Sequence, residues 1–190
     1  MTCGRADSPT RLCAGLRCAR MSASQGTLMP RLSDTTGRLP AGLFFEDFTL
    51  GRSFESFGRT LTDADLVLFA GISGDFNPVH LDQETAQATP FRGRVAHGML
   101  VQSIATGLAV QMGIFHGTLV ALASMEIAWK TPARVGDTIR VIMEVAEVDS
   151  NPKSRRGTVE FNVQVIKADD TVLVESRWQT VVSRRPKSTS

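Results

Sequence analysis

The stretch AHGMLVQSIATGLAVQMG, residues 96–113, decides the fold. Its apolar residues recur on nearly every face, and a helix that is hydrophobic all round has to be buried. About 18 residues at about 1.5 Å each make a rod of about 27 Å, enough to run through the middle of a small domain. Gly98, Gly107 and Gly113 leave room for close backbone approach. The run from Val95 to Ile114 is too polar for a membrane span, because His97, Gln102, Ser103, Thr106 and Gln111 interrupt it.

Downstream of this helix the period changes to two. Ile139, Val141, Met143 and Val145 alternate with Arg140, Ile142, Glu144 and Ala146, and Val159, Phe161, Val163 and Val165 alternate with Glu160, Asn162 and Gln164. Each run predicts a strand with one buried face. Turn signals at Gly136-Asp137, Asn151-Pro152 and Ala168-Asp169-Asp170 separate them, and Val172 to Val182 supplies a last strand carrying Trp178. Upstream, Phe54 to Leu61 has the β-branched and aromatic mix of a short strand. Thr62-x-x-Asp65 then reads as a capping box opening a helix that Gly71 and Gly74 end. A second short helix is predicted from Asp82, its cap, with Pro90 to Arg94 as loop. One buried helix and an antiparallel sheet of about five strands pack simply if the sheet curls around the helix, giving an α+β domain.

With 190 residues, 42% hydrophobic and 21% charged, the chain suits one domain. Residues 1–40 stand apart: Arg5, Arg11, Arg17, Arg20, Arg31 and Arg38 oppose only Asp7 and Asp34. That leader carries +4, so the total of +2 leaves the body at −2. The body shows no basic stripe interleaved with aromatics, which argues against a nucleic-acid partner. Without sustained apolar periodicity the leader is expected to be disordered. Two readings of it stay open, an organellar transit peptide or upstream codons before a true start at Met21 or Met29. All three cysteines, Cys3, Cys13 and Cys18, fall there, so the body needs no disulfide and fits a reducing compartment. The expected division is leader 1–40, domain 41–184 and flexible tail 185–190. Cytoplasmic location is expected, or the mitochondrial matrix if the leader is a transit peptide.

The sharpest chemical feature is Gly74-Asp75-Phe76-Asn77-Pro78-Val79-His80. Pro78 forbids helix continuation and pushes Asn77 toward extended geometry, so the step from Asp75 to His80 is read as loop, with both side chains facing one cavity. A carboxylate and an imidazole so placed can hold one water, take its proton and return a proton to substrate carbon. Taken alone, the motif favours the plainer reading, with Asp75 and Asn77 as turn formers and His80 a satisfied buried histidine.

This segment resembles the hydratase signature of the MaoC-like family, which includes R-specific enoyl-CoA hydratases. Val95-Ala96-His97-Gly98-Met99-Leu100 is similar to the family's second block, and the resemblance runs from about Phe45 to Val182. It implies a hot-dog fold, an antiparallel sheet wrapped around a long central helix. It implies reversible addition of water to a trans-2-enoyl-CoA, giving the R-3-hydroxyacyl-CoA, with no metal or redox cofactor. Asp75 and His80 match the family's catalytic acid and histidine, and are taken as one coupled unit. Gly98 matches the glycine whose amide polarises the thioester carbonyl. Asn77 is expected to brace the loop, and Thr106 falls where some members have a serine near the site. His97 reads as a structural, loop-fixing support rather than a second base. His116 reads as a surface or loop residue, and Met99, Met112 and Met125 as core packing. The resemblance also implies a homodimer or higher homo-oligomer binding acyl-CoA, with no membrane partner. Two rivals remain: a hot-dog acyl-CoA thioesterase, and a non-catalytic acyl-binding subunit of a heteromeric dehydratase.

Overall fold

The computed structural model describes residues 41–149 and 153–186. The leader, the turn at Asn151-Pro152 and residues 187–190 lie outside the described residues. The elements run β1 (Ser53–Glu55), β2 (Arg59–Thr60), α1 (Asp63–Ser73), α2 (Pro78–Leu81), α3 (Gln83–Gln87), α4 (Gly98–Gln111), β3 (Leu119–Trp129), β4 (Thr138–Asp149), β5 (Arg156–Lys167) and β6 (Val172–Ser183).

The strands form one antiparallel sheet in the order β1-β4-β5-β6-β3, with β2 also paired to β4. The period-two runs place Val141, Met143 and Val145 of β4 and Val159, Phe161 and Val163 of β5 in the core, where Val174, Trp178 and Val182 of β6 join them. Phe161 lies opposite Val145 on one side and Trp178 on the other. Its ring meets Phe48 and Phe115 edge to face at 5.7 and 5.8 Å. Against this face pack Leu100, Val101, Ile104, Ala105, Leu108 and Ala109 of α4. The sheet and its one long helix therefore bury each other, as the hydrophobic pattern demanded.

Several boundaries differ from the sequence reading. The strand expected over 54–61 is two short pieces, because the Ser56 hydroxyl accepts the Val141 N–H (2.9 Å) where a strand carbonyl would stand. The central helix holds 14 residues, about 21 Å, and only one broad face is buried; Met99, Ser103 and Val110 are exposed. Met99 is consequently not core packing, whereas Met112 and Met125 do pack against the core. The ordered chain also passes the expected boundary at 184: Arg185 pairs with Asp47 (2.8 Å) and its guanidinium lies 5.1 Å from the Phe44 ring centre.

The capping box is present as read. Asp65 accepts the Thr62 N–H (2.8 Å), and Thr62 Oγ1 accepts the Asp65 N–H (3.3 Å). Burial raises the Asp65 pKa most strongly of any single influence, but its bonds to Thr62 and the Arg59 guanidinium together hold it below the ordinary carboxylate value. The box therefore stabilises fully above the ordinary carboxylate range and its contribution fades as pH falls through the lowered value. Thr62→Ala should cost about 1 kcal/mol at neutral pH. Urea titration of both proteins measures this, and equal midpoints would show the cap to be idle.

Candidate active site

Two helix ends and one loop bring the chemistry together. Gly74 closes α1 in a left-handed conformation (φ 75°), which turns the chain toward Asp75. The Asp75 carboxylate accepts the Asn77 N–H (3.2 Å), and Asn77 caps α2 by accepting the Val79 N–H (3.3 Å). Pro78 takes the first helical position, where its missing N–H and fixed φ suit a helix start. His80 thus stands on a helical turn rather than on loop. The proline that ends one helix begins the next.

The orientation of His80 is fixed on both sides. Its Nδ1–H donates to the Val95 carbonyl (2.8 Å), leaving Nε2 as the free acceptor 3.8 Å from Asp75 Oδ2. The carbonyl of Val95 is itself positioned: Val95 N–H bonds Val79 (3.3 Å), and Ala96 N–H bonds Ala133 (2.7 Å). Arg94 donates to the His80 carbonyl (2.8 Å) and pairs with Asp63 (2.7 Å). Arg134 holds the same loop through the carbonyls of Arg94 (3.2 Å) and Phe91.

His97 is buried and ties the two groups together. Its Nε2–H donates to the Asp75 carbonyl (3.0 Å), and its ring stacks on His80 at 3.8 Å and meets Phe69 in a tilted contact at 5.1 Å. His97 thus touches both members of the acid–imidazole pair. Asp75, His80 and His97 offer ligand atoms within 4.8 Å of one another, close enough to be tested as a cation site. The geometry does not suit one. Stacked imidazoles aim their in-plane lone pairs side by side rather than at a common point, and each ring spends one nitrogen on a backbone carbonyl.

Gly98 opens α4, whose cap residue His97 makes no side-chain capping bond. The amides of Gly98, Met99 and Leu100 have no acceptor among the described residues. They are the ordinary orphan donors of a helix start and carry the positive end of its dipole. Asp75, His80, His97 and Gly98 line one cleft of about 730 Å³ whose mostly apolar walls include Phe69, Val79, Phe91, Met99 and Trp129, with Ser73, Lys130 and Thr131 as further polar lining. A carboxylate and an imidazole acceptor therefore face a helix N-terminus across a largely apolar space. That arrangement can bind an oxygen-bearing group at the helix end while moving protons beside it.

Of the residues singled out from sequence, Asp75, His80, His97 and Gly98 share this cleft, and Asn77 braces it from behind. Thr106 does not reach it. It lies eight residues beyond Gly98, about 12 Å along the axis, and its hydroxyl bonds the Ser103 carbonyl (2.7 Å). His116 is exposed at the Ile114–Gly117 turn, as read. Trp129 escaped the sequence reading. Nothing in the string places residue 129 near residue 98; the fold seats the Trp129 indole against Gly98.

The architecture, a hot-dog sheet around one helix with an acid–imidazole pair at that helix's start, defines the class. The chain belongs to the MaoC-like family, whose domain, described as "MaoC like domain", matches residues 47–168. It is 33% identical over 137 residues to an (R)-specific enoyl-CoA hydratase of Rhodospirillum rubrum, covering 70% of this chain and 93% of that one. It is 34% identical over 131 residues to a 3-hydroxybutyryl-CoA dehydratase of Methylorubrum extorquens, covering 69% and 79%. Among solved structures, a MaoC-like dehydratase from Rhodospirillum rubrum is similar with a TM-score of 0.71 and 31% identity, over 76% of this chain and 99% of that one.

Proposed function

We propose that the protein is an enoyl-CoA hydratase acting equally as a 3-hydroxyacyl-CoA dehydratase, with Asp75 and His80 as its acid–base pair. The observation that carries this is the 3.8 Å gap between His80 Nε2 and Asp75 Oδ2. It is too long for a direct hydrogen bond and short enough for one water oxygen to contact both. That water adds to the β carbon of a trans-2-enoyl thioester, forming a C–O bond as an O–H bond breaks toward the pair. The displaced electrons collect on the thioester oxygen, which the Gly98 N–H and the helix dipole stabilise. Collapse of this enolate takes a proton from the pair at the α carbon, and the pair returns to its starting state. Asp75 and His80 exchange the protons as one unit. His97 supports both, and Asn77 holds the loop between them.

The R-3-hydroxyacyl product follows from the likeness to the R-specific hydratase. We further propose a homodimer. Support comes from β3, an 11-residue outer strand that, among the described residues, pairs with a strand on one side only and exposes Val120 and Leu122. Among the described residues no helix is long and apolar enough to cross a membrane. A reducing aqueous compartment suits a body free of cysteine.

Purified full-length protein incubated with crotonyl-CoA and longer enoyl-CoAs tests the activity. Loss of enoyl absorbance with an R-3-hydroxyacyl-CoA product is expected. Release of free thiol without hydration would replace this reading with a thioesterase. Silence toward both would leave a non-catalytic subunit.

A further inference from the structure

The Gly98 amide is only one donor, and an enolate oxygen has lone pairs for at least two. The indole of Trp129 occupies the space where a Cβ on Gly98 would lie: Cε2 stands 2.8 Å and Cδ1 2.9 Å from that position, with Nε1 nearer still. The nitrogen end of the ring, not its benzo edge, therefore rests on the helix start. Standard bond lengths then put Nε1 within about 5 Å of the Gly98 amide nitrogen, a separation that one oxygen about 2.9 Å from each can bridge.

The state of this N–H points the same way. Trp129 lines the cleft, is 53% exposed, and its indole N–H has no acceptor among the described residues. The other tryptophan contrasts with it, since buried Trp178 donates its N–H to Ser176 Oγ (2.8 Å). The Trp129 backbone is held in the sheet opposite Val174, and the next residue bonds the Leu173 carbonyl (2.8 Å). The ring is thus presented from a fixed strand end. Donors without acceptors among the described residues meet here, in the same cleft as the acid–imidazole pair.

We infer that the Trp129 indole N–H is a second catalytic donor, bonding the thioester oxygen beside the Gly98 amide; this rests on the hydratase reading above. It makes Trp129 the contact that adds stabilisation as charge moves onto the oxygen, so its loss appears in turnover more than in binding. Aromatic packing on Gly98 alone predicts no such loss when the ring is kept.

Trp129→Phe separates the two roles, because it keeps an aromatic ring at Gly98 and removes the donor. In the full-length enzyme kcat for crotonyl-CoA should fall about 10²-fold with KM little changed. Emission from the remaining Trp178 reports that the core is intact. A second readout uses Asp75→Asn protein with bound hexadienoyl-CoA, whose absorbance moves to longer wavelength when its carbonyl is polarised. Adding Trp129→Phe should shrink that shift. Wild-type kcat and an unchanged shift in the Phe variants would overturn the donor role and leave the hydratase reading standing. A shift that needs Trp129 in a protein that hydrates nothing would keep the donor and overturn the hydratase reading. Absence of both hydration and shift would overturn both.

Discussion

Asp75→Asn should yield a folded protein that hydrates crotonyl-CoA about 10³- to 10⁴-fold more slowly than wild type. The substitution is nearly isosteric, and an amide oxygen can still accept the Asn77 N–H that Asp75 Oδ1 accepts at 3.2 Å. The Asp75 carbonyl that receives the His97 N–H is untouched, so the loop and the His80–His97 stack should persist. What disappears is a group that can bind and release a proton. An amide can still hydrogen-bond the water, but of the pair only His80 Nε2 can then take its proton. Kinetics with the thermal midpoint measured in parallel decide the matter: near-normal turnover would remove Asp75 from the chemistry, whereas a collapsed midpoint would make it a folding residue.

Gly98→Ala should reduce kcat/KM about 10²- to 10³-fold. The added methyl lands within 3 Å of three indole atoms of Trp129, nearer than real side-chain carbons approach. Either the indole leaves or the first turn of α4 shifts, and both move the donors away from the oxygen they serve. Because the indole is half exposed it can yield, so the stability loss should be modest, about 1–3 kcal/mol. Pairing Gly98→Ala with Trp129→Leu should restore the thermal midpoint without restoring turnover. Recovery of activity in the double variant would mean that the indole is only an obstacle, and full activity in Gly98→Ala would dismiss the helix start as the carbonyl site.

The sequence exposed those parts of the molecule that are local in the chain. Alternation in β4 and β5 set the buried face directly, since a strand with one covered side must alternate. The Asp75–His80 step was visible because both residues sit within one turn of chain. Legibility failed where distant segments decide. Ser56 splits a strand by bonding Val141, 85 residues away. Met99 looked like core from composition, but the sheet covers α4 from one side and leaves that residue in the cleft. Thr106 was placed near the site by family likeness, and helical rise carries it away. Trp129 could be found only after the sheet order was known. Residues 1–40 lie outside the described part, so the readings of the leader stand as they were.

The acceptor that aims His80 is the main-chain carbonyl of Val95. A side-chain carboxylate in that role could be deleted by one base change, but every amino acid brings the same carbonyl to position 95. Drift at that residue therefore cannot switch the imidazole to its other tautomer unless the loop itself moves. The orientation of that ring is delegated to the contacts that pin the loop, among them the Val79 and Ala133 carbonyls and the Arg94 and Arg134 guanidinium groups. Lineages sharing this frame would be free to vary residue 95 for the shape of the cleft it lines while the His80 imidazole beside it keeps its orientation.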